Sequence, residues 1–528
     1  METKNEKERT ELHKMIWAIA EDLRGTVDGW DFKAYVLGML FYRFISENLA
    51  NYINKDEQRI HPDFKYEKLD DKVAEKDKKG ILEDKGFFIY PSELFCNIRA
   101  NAKNDKDLNV TIHTVFSNIE SSAKGTDSED DLEGLFSDFD VNSNKLGKTV
   151  EERNEKILNL INKIGDLPLG DYKDNSIDLF GDAYEFLMTM YASSAGKSGG
   201  EFFTPQEVGD LLARIVIGDK KEINKVYDPC CGSGGLLLKF AKVLGKENVK
   251  DGYFGQENNL TTYNLSRINM FLHDINYNKF NIGYGDTILN PVHWDEEPFD
   301  AIVSNPPYSH KWVGKDNPLL INDPRFAPAG VLAPKKFEDL QFTMHMLSWL
   351  SPKGTAAIVE FPGVLYRGSA EQKIRKYLID NNFIEAVIQL PGEMFFGTPI
   401  ATCIIVLKKN KIDNNILFLD VSDKKTINKD RMKNATNKYK LSDENIKDII
   451  EFLNRRTTIE KRSLLASYDL VKENKYNISV STYVKNLEEP PEINIKELNN
   501  EIKEIVRREL KTREELDKIV SELEADYE

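Results

Sequence analysis

The sequence predicts an open, doubly wound α/β sheet preceded by an α-helical region and followed by a helical tail. Three observations carry that expectation. From about residue 225, short apolar runs of strand length alternate with segments of helical periodicity, which is how a largely parallel sheet with covering helices reads in sequence. Upstream, apolar residues recur every three or four positions, the pattern of helices with one buried face. Beyond residue 490, heptad-spaced apolar residues sit amid dense Glu, Lys and Arg. The expected regions are 1–165 (helical), 166–475 (the α/β sheet) and 476–528 (the helical tail). A chain of 528 residues is long enough for roughly three and a half domains at about 150 residues each and buries at least one large core.

Each element has its own justification. Leu12, Met15, Ile16, Ile19, Ala20 and Leu23 define a first amphipathic stripe, and Tyr35, Met39, Tyr42 and Ile45 a second after a turn at Gly29. Stretches rich in Lys, Asp and Glu (66–90) and in Ser, Asp and Gly (122–150) read as loops. Asp138, Asp140 and Asn142 imitate the start of a calcium loop, but Ser143 stands where Gly is required and Thr149 where Glu is required, so a solvated loop is the expectation. Strands are expected at 225–228, 253–257, 300–304, 356–361, 386–390, 402–407 and 416–419, with helices at 236–244, 263–273 and 370–381. In the tail, Ile495, Leu498, Ile502 and Ile505 follow heptad spacing, and Leu516, Ile519 and Leu523 resume it. Two readings of that seam stand together: a solvated terminal helix packing on its own domain, and a docking helix for a partner.

Composition narrows the function. Hydrophobic residues make up 40% and charged residues 30%, which excludes wholesale disorder. With 72 Lys+Arg against 88 Asp+Glu the chain carries net charge −16, a poor balance for an autonomous DNA clamp, so action on nucleic acid implies basic surface borrowed from a partner. The charged start METKNEKERT and the lack of long apolar runs predict a soluble cytoplasmic chain with no membrane span. Four cysteines without C-x-x-C spacing and seven scattered histidines give no basis for a disulfide framework or a metal centre.

The doubly wound class directs attention to the residues after each strand. Asp228-Pro-Cys-Cys-Gly-Ser-Gly-Gly235 joins a strand to a helix, and glycines there let backbone approach a nucleotide-like ligand. The dinucleotide pattern fails because Leu237 replaces its third glycine, and a P-loop ending at Gly196-Lys197-Ser198 fails because Tyr191 replaces its first. Glu257 ends the next strand, where a carboxylate suits ribose hydroxyls, and Asp286 is a further strand-end candidate. The Asn305-Pro306-Pro307-Tyr308 run is more specific. Its two prolines fix an exposed turn with no N–H to offer, beside an amide and an aromatic face. Asn305 and the Pro306 carbonyl can accept both hydrogens of an exocyclic amine while Tyr308 stacks on the ring.

These residues carry a family resemblance. Asp228–Gly235 resembles the cofactor loop, and Asn305–Tyr308 the catalytic tetrapeptide, of amino-methyltransferases that use S-adenosylmethionine; Asn in first place is typical of adenine N6 enzymes. Gly200-Glu-Phe-Phe-Thr-Pro205, ahead of the loop, resembles their additional cofactor motif and gives the gamma order. The Trp17…Leu23-Arg-Gly25 helix, the Leu135–Gly147 run and Leu390–Thr398 resemble the modification subunit of Type I restriction-modification systems, so the likeness spans nearly the whole chain. The resemblance implies a Rossmann-like methyltransferase sheet. It assigns cofactor contacts to Glu201, Phe202, Phe203, Thr204, Pro205 and Gln206, to Asp228, Gly232, Ser233, Gly234 and Gly235, and to Glu257, with Asp286 a candidate at the cofactor adenine. Phe395 or Phe396 is a candidate wall for the base.

The implied reaction is direct methyl transfer to N6 of an adenine flipped out of double-stranded DNA, with no metal. The implied partners are a specificity subunit, a restriction subunit and a second copy of the chain. Ser309–Asp339 is a candidate target-strand loop. Two alternatives remain at this level: a self-sufficient adenine methyltransferase whose region beyond 410 reads DNA, and a methyltransferase-like scaffold that transfers nothing. A Pro229-Cys230 elbow of the cytosine C5 kind has the letters but lies in the cofactor loop.

Overall fold

The computed structural model describes residues 10–19, 31–169, 179–194, 204–395, 399–422, 428–429, 439–484 and 495–525. The chain divides into two compact units, Met1–Val484 and Lys485–Glu528. The first holds a helical region and a nine-stranded sheet built from β1 (Ile223–Asp228), β2 (Val249–Glu257), β3 (Phe280–Tyr284), β4 (Phe299–Ser304), β5 (Leu350–Glu360), β6 (Ile384–Gln389), β7 (Cys403–Lys408), β8 (Ile416–Asp420) and, after a short pair β9 (Asn428–Lys429) and β10 (Tyr439–Lys440), β11 (Ser463–Ala466). The order is β11-β8-β6-β7-β5-β4-β1-β2-β3. β7 runs antiparallel to β5 and β6, and β11 to β8; the other neighbours are parallel.

The strands form because their apolar runs are buried on both faces, and the alternation of side chains assigns each residue to one face. Val226, Ala301, Val303, Ala357 and Val359 enter the core shared with the helical region, whereas Tyr227, Ile302, Ala356 and Ile358 enter a second core on the opposite face. Chain order runs outward from β1 through β2 to β3 and then returns to β4 on the other side, which opens a crevice at the carboxyl ends of β1 and β4. Register pairs Val226 with Ala301 and Tyr227 with Ile302, so the turn after Asp228 and the turn after Ser304 emerge side by side.

The helical region is centred on the 27-residue helix Asp31–Glu57, which is buried nearly all round from Tyr35 to Ser46. Its buried Arg43 donates through Nη1 to the carbonyls of Ile164 (2.6 Å) and Leu167 (3.0 Å), closing the end of the helix Val150–Gly165 against it. The helix Leu260–Leu272 fastens this region to the sheet: buried Arg267 donates to the carbonyls of Asp130 (2.7 Å) and Glu133 (3.0 Å). The helix over 10–19 buries Leu12, Ile16 and Ile19; Ala20, Leu23 and Gly29 lie outside the described residues.

All seven expected strands and all three expected helices are present, and three expectations need correction. The stretch 66–90 contains the helices Asp71–Ala74 and Lys78–Lys85, because apolar residues spaced among its charges (Tyr66, Ala74, Ile81) reach the core while Lys and Glu face water. The stretch 122–150 is mostly turns but is not a solvated loop: Leu132, Leu135, Phe136, Phe139, Val141 and Leu146 are buried, and Phe136 stacks on Phe116 at 4.0 Å. Its would-be calcium ligands serve the fold, Asp138 accepting from Thr261 and Asp140 from the Asn142 N–H. Finally, β11 escaped sequence reading and β3 was signalled only by the strand-end position of Asp286, because each strand is short and only partly apolar. The second unit is the 31-residue helix Ile495–Ala525, in which Leu498, Ile502, Ile505 and Leu516 are exposed. No described helix is long and apolar enough to cross a membrane.

Candidate active site

At the end of β1, Asp228 is fully buried. Its Oδ1 accepts from the Cys230 N–H (3.0 Å) and from Ser304 Oγ at the end of β4 (3.0 Å), while Oδ2 has no partner among the described residues. Burial pushes this carboxyl up to about 7, with Glu257 adding to the rise. The chain then turns through Gly232 (φ 53°) and Gly234 (φ 79°), left-handed conformations that favour glycine. A Cβ on Gly234 would also lie 3.0 Å from the Met270 methyl. The helix Gly235–Leu244 starts at once, and the N–H groups of its first turn have no acceptor within the helix.

Glu257, at the end of β2, braces this turn. Its carboxylate accepts from the Gly232 N–H (3.0 Å) and the Asn259 N–H (2.8 Å), and burial holds its carboxyl above the usual range. Asp286 caps its own turn, accepting from the N–H groups of Ile288 (2.9 Å) and Leu289 (3.0 Å). Burial pushes the Cys230 and Cys231 thiols well up, the opposite of what a nucleophilic thiolate requires.

A cleft opens over the glycine turn. Of the sequence-derived candidates, Thr204, Pro205, Gln206, Asp228, Gly232, Ser233, Gly235 and Asn305 line it. Gly234, Glu257 and Asp286 are not among its lining residues, although Glu257 bonds to the lining Gly232, and Glu201, Phe202, Phe203 and Phe396 lie outside the described residues. The lining adds residues that sequence reading missed, among them Tyr184, Met188, Lys239 and Asn269, all on helices whose apolar pattern masked them. Asn269 holds the turn by donating from Nδ2 to the Ser233 carbonyl (2.8 Å). Its Oδ1, like Gln206 Oε1 and Asp228 Oδ2, is a buried acceptor without a partner among the described residues. Three such oxygens around one cleft suit a ligand that brings N–H donors and positive charge.

The turn after β4 forms the far wall. Asn305 donates from Nδ2 to Thr204 Oγ1 (3.0 Å) and accepts at Oδ1 from the Tyr308 hydroxyl. Pro306 is buried, and Tyr308 meets the buried Phe395 ring edge-on at 6.4 Å. Phe395 therefore backs the tyrosine from within the core. Thr204 and Asn305 are 101 residues apart in sequence, so their hydrogen bond ties the segment before the first strand directly to the turn. Among the described residues, no group of three or more His, Cys, Asp or Glu is arranged to hold a metal.

Comparison with known proteins gives a consistent result. The N-6 DNA Methylase family model matches residues 175–491, and the HsdM N-terminal domain model matches 12–164. The methylase subunit of the Type I restriction enzyme MpnII from Mycoplasma pneumoniae is 47% identical over 100% of this chain and 99% of its own. That of MjaVII from Methanocaldococcus jannaschii is 30% identical over 67% of this chain and 60% of its own. Among solved structures, the type I restriction-modification methyltransferase subunit from Streptococcus thermophilus superposes with a TM-score of 0.80 at 31% identity, covering 90% of this chain and 99% of that one.

Proposed function

The chain belongs to the N-6 DNA methylase family, among the methylase subunits of Type I restriction enzymes, and on that footing we propose that the Asn305–Tyr308 turn receives the target adenine while the adjoining cleft holds S-adenosylmethionine. The activity is transfer of a methyl group to the N6 amine of adenine in DNA, carried out as the modification subunit of a Type I complex. The observation that carries the site assignment is the position of Asn305, at once a wall of the cleft and the first residue of the Pro-Pro turn.

The buried acceptors Asp228 Oδ2, Gln206 Oε1 and Asn269 Oδ1 suit the ammonium and amine groups of this cofactor, and Glu201, Phe202 and Phe203 complete the proposed cofactor set with Thr204 and Pro205. When bound, the cofactor supplies an electrophilic methyl on a sulfonium. Asn305 Oδ1 and the Pro306 carbonyl then accept the two amine hydrogens, so that the nitrogen lone pair is directed at the cleft. Because the Tyr308 hydroxyl donates to Asn305 Oδ1, base entry exchanges that bond for one from the amine and frees the ring to stack. The proton shed by the methylated nitrogen leaves by way of the Asn305 oxygen to water, with no general base needed.

The specificity subunit, a restriction subunit and a second copy of the chain are the proposed partners, the cytoplasm the proposed compartment, and 1–165, 166–475 and 476–528 the proposed functional regions. The tail is assigned to partner docking. Incorporation of labelled methyl into unmethylated duplex DNA, by the chain alone and with the specificity subunit, tests the assignment. Incorporation only with the partner is expected; none in either condition would return the chain to a non-catalytic scaffold.

A further inference from the structure

The segment leaving the catalytic turn has its own architecture. Its two ends, 30 residues apart, are laced together: the Ser309 N–H donates to Asp339 (2.9 Å), the Glu338 N–H to the His310 carbonyl (3.3 Å), the Trp312 N–H to the Lys335 carbonyl (3.1 Å) and Trp312 Nε1 to the Pro334 carbonyl (3.0 Å). Farther out, buried Arg325 plugs the loop into the protein through the carbonyls of Thr287 (2.9 Å) and Ile288 (2.8 Å). The neck is therefore a fixed extension of the residue that stacks on the base.

Its outer surface is basic in an acidic protein. Lys311, Lys315, Lys335 and Lys336 are exposed, against one exposed carboxylate, Asp316, which pairs with Lys335. Glu338 and Asp339 are buried, and Asp323 is engaged by Arg325. Lys311, Lys315 and Lys336 have no ion pair with any described residue, although the chain as a whole carries net charge −16.

We propose that Lys311, Lys315 and Lys336 on the laced neck bind phosphates of the DNA strand beside the flipped adenine. The inference rests on the methyl-acceptor assignment of Asn305–Tyr308. A nucleotide held there brings its flanking phosphates to the start of the neck, and duplex DNA carries about one charge per 1.7 Å of axis. A rigid basic neck at that point turns base capture into strand positioning, and supplies locally what the acidic chain lacks overall.

The test compares the native protein, in complex with the specificity subunit, with the triple variant Lys311→Gln, Lys315→Gln, Lys336→Gln. Duplex DNA binding and the KM for DNA are measured from 50 to 200 mM salt, with cofactor affinity as the check on folding. Each lost phosphate contact lowers the slope of log affinity against log salt by about 0.9, so the variant's slope falls by about 2.7. Over that fourfold salt rise, the native complex then loses about forty times more affinity than the variant. The Lys→Arg triple retains the native slope. An unchanged slope overturns the proposal. So does loss of the specificity subunit from the variant with its DNA slope intact, which would make the neck a protein-docking surface. Failure of the methyl-acceptor reading shows separately, as native protein that binds DNA with the expected slope yet transfers no methyl.

Discussion

The turns that follow β1 and β4 leave the sheet side by side and share a hydrogen bond between Ser304 and Asp228, yet they are built from opposite materials. The first is glycine-rich, with Gly232 and Gly234 in left-handed conformations, and leads straight into the first turn of a helix, so it presents backbone donors and one buried carboxylate. The second is proline-rich, lacks N–H groups at two successive positions, and presents an amide oxygen, a carbonyl and an aromatic ring. On the proposed assignment, one strand end surrounds a nucleotide-like cofactor and its neighbour holds an amine. The two meet at Asn305, which lines the cleft and is where the proposal puts the reaction.

If the division is real, damage to each turn has its own signature. The largest effect is expected from Asn305→Ala, which removes the amine acceptor: transfer falls by about a thousandfold or more, while cofactor affinity, measured by calorimetry, stays within about threefold of native. Asp228→Asn strikes the other turn. It removes the charge facing the cleft, and cofactor affinity should fall about a hundredfold with a smaller change in kcat at saturating cofactor. Tyr308→Ala, by loss of stacking, costs roughly 5- to 150-fold in use of DNA. Tyr308→Phe keeps the ring and releases Asn305 Oδ1, and should stay near native, which separates stacking from the hydroxyl bond. The smallest functional effect is expected from Gly234→Ala, which forces a side chain into the left-handed region and shows mainly as about 1–2 kcal/mol of lost stability in denaturant titration.

The pH dependence of the two turns should differ as well. Asp228 stands near 3.8 when unfolded and about 7 when folded, so the folded chain holds the extra proton between those values. Stability from this group is fully present below about pH 4, declines as pH rises, and is flat above about 7. A cationic cofactor favours the carboxylate, so its affinity should climb as pH approaches 7 and its binding should release a proton. Titrations of native and Asp228→Asn protein check both slopes; the difference between the two proteins is the contribution of this group, since the variant keeps only the slope of the other buried carboxyls such as Glu257.

Much of this was legible in sequence because it rests on local rules. Seven strands announced themselves as apolar runs, and Asn305–Tyr308 by two adjacent prolines whose effect on backbone needs no tertiary context. The glycines of 232–235 were equally plain. What sequence hid was whatever depends on packing across the chain. Asn269 reads as an ordinary polar position in an apolar helix until its amide is seen holding the Ser233 carbonyl. Thr204 and Asn305 meet only when the sheet brings them together. Phe136 and Phe139 lie in a stretch whose Ser, Asp and Gly content suggests a solvated loop, and only the aromatic partners Phe116 and Tyr35 explain their burial.

If the proline-rich turn presents an adenine N6 amine to the cofactor cleft, the methyl group must end on that nitrogen. The most direct measurement is to let the chain, with the specificity subunit, transfer labelled methyl to unmethylated duplex DNA, then hydrolyse the product and identify the labelled nucleoside. All label is expected in N6-methyladenine; label in a methylated cytosine would mean that the turn does not present an adenine amine.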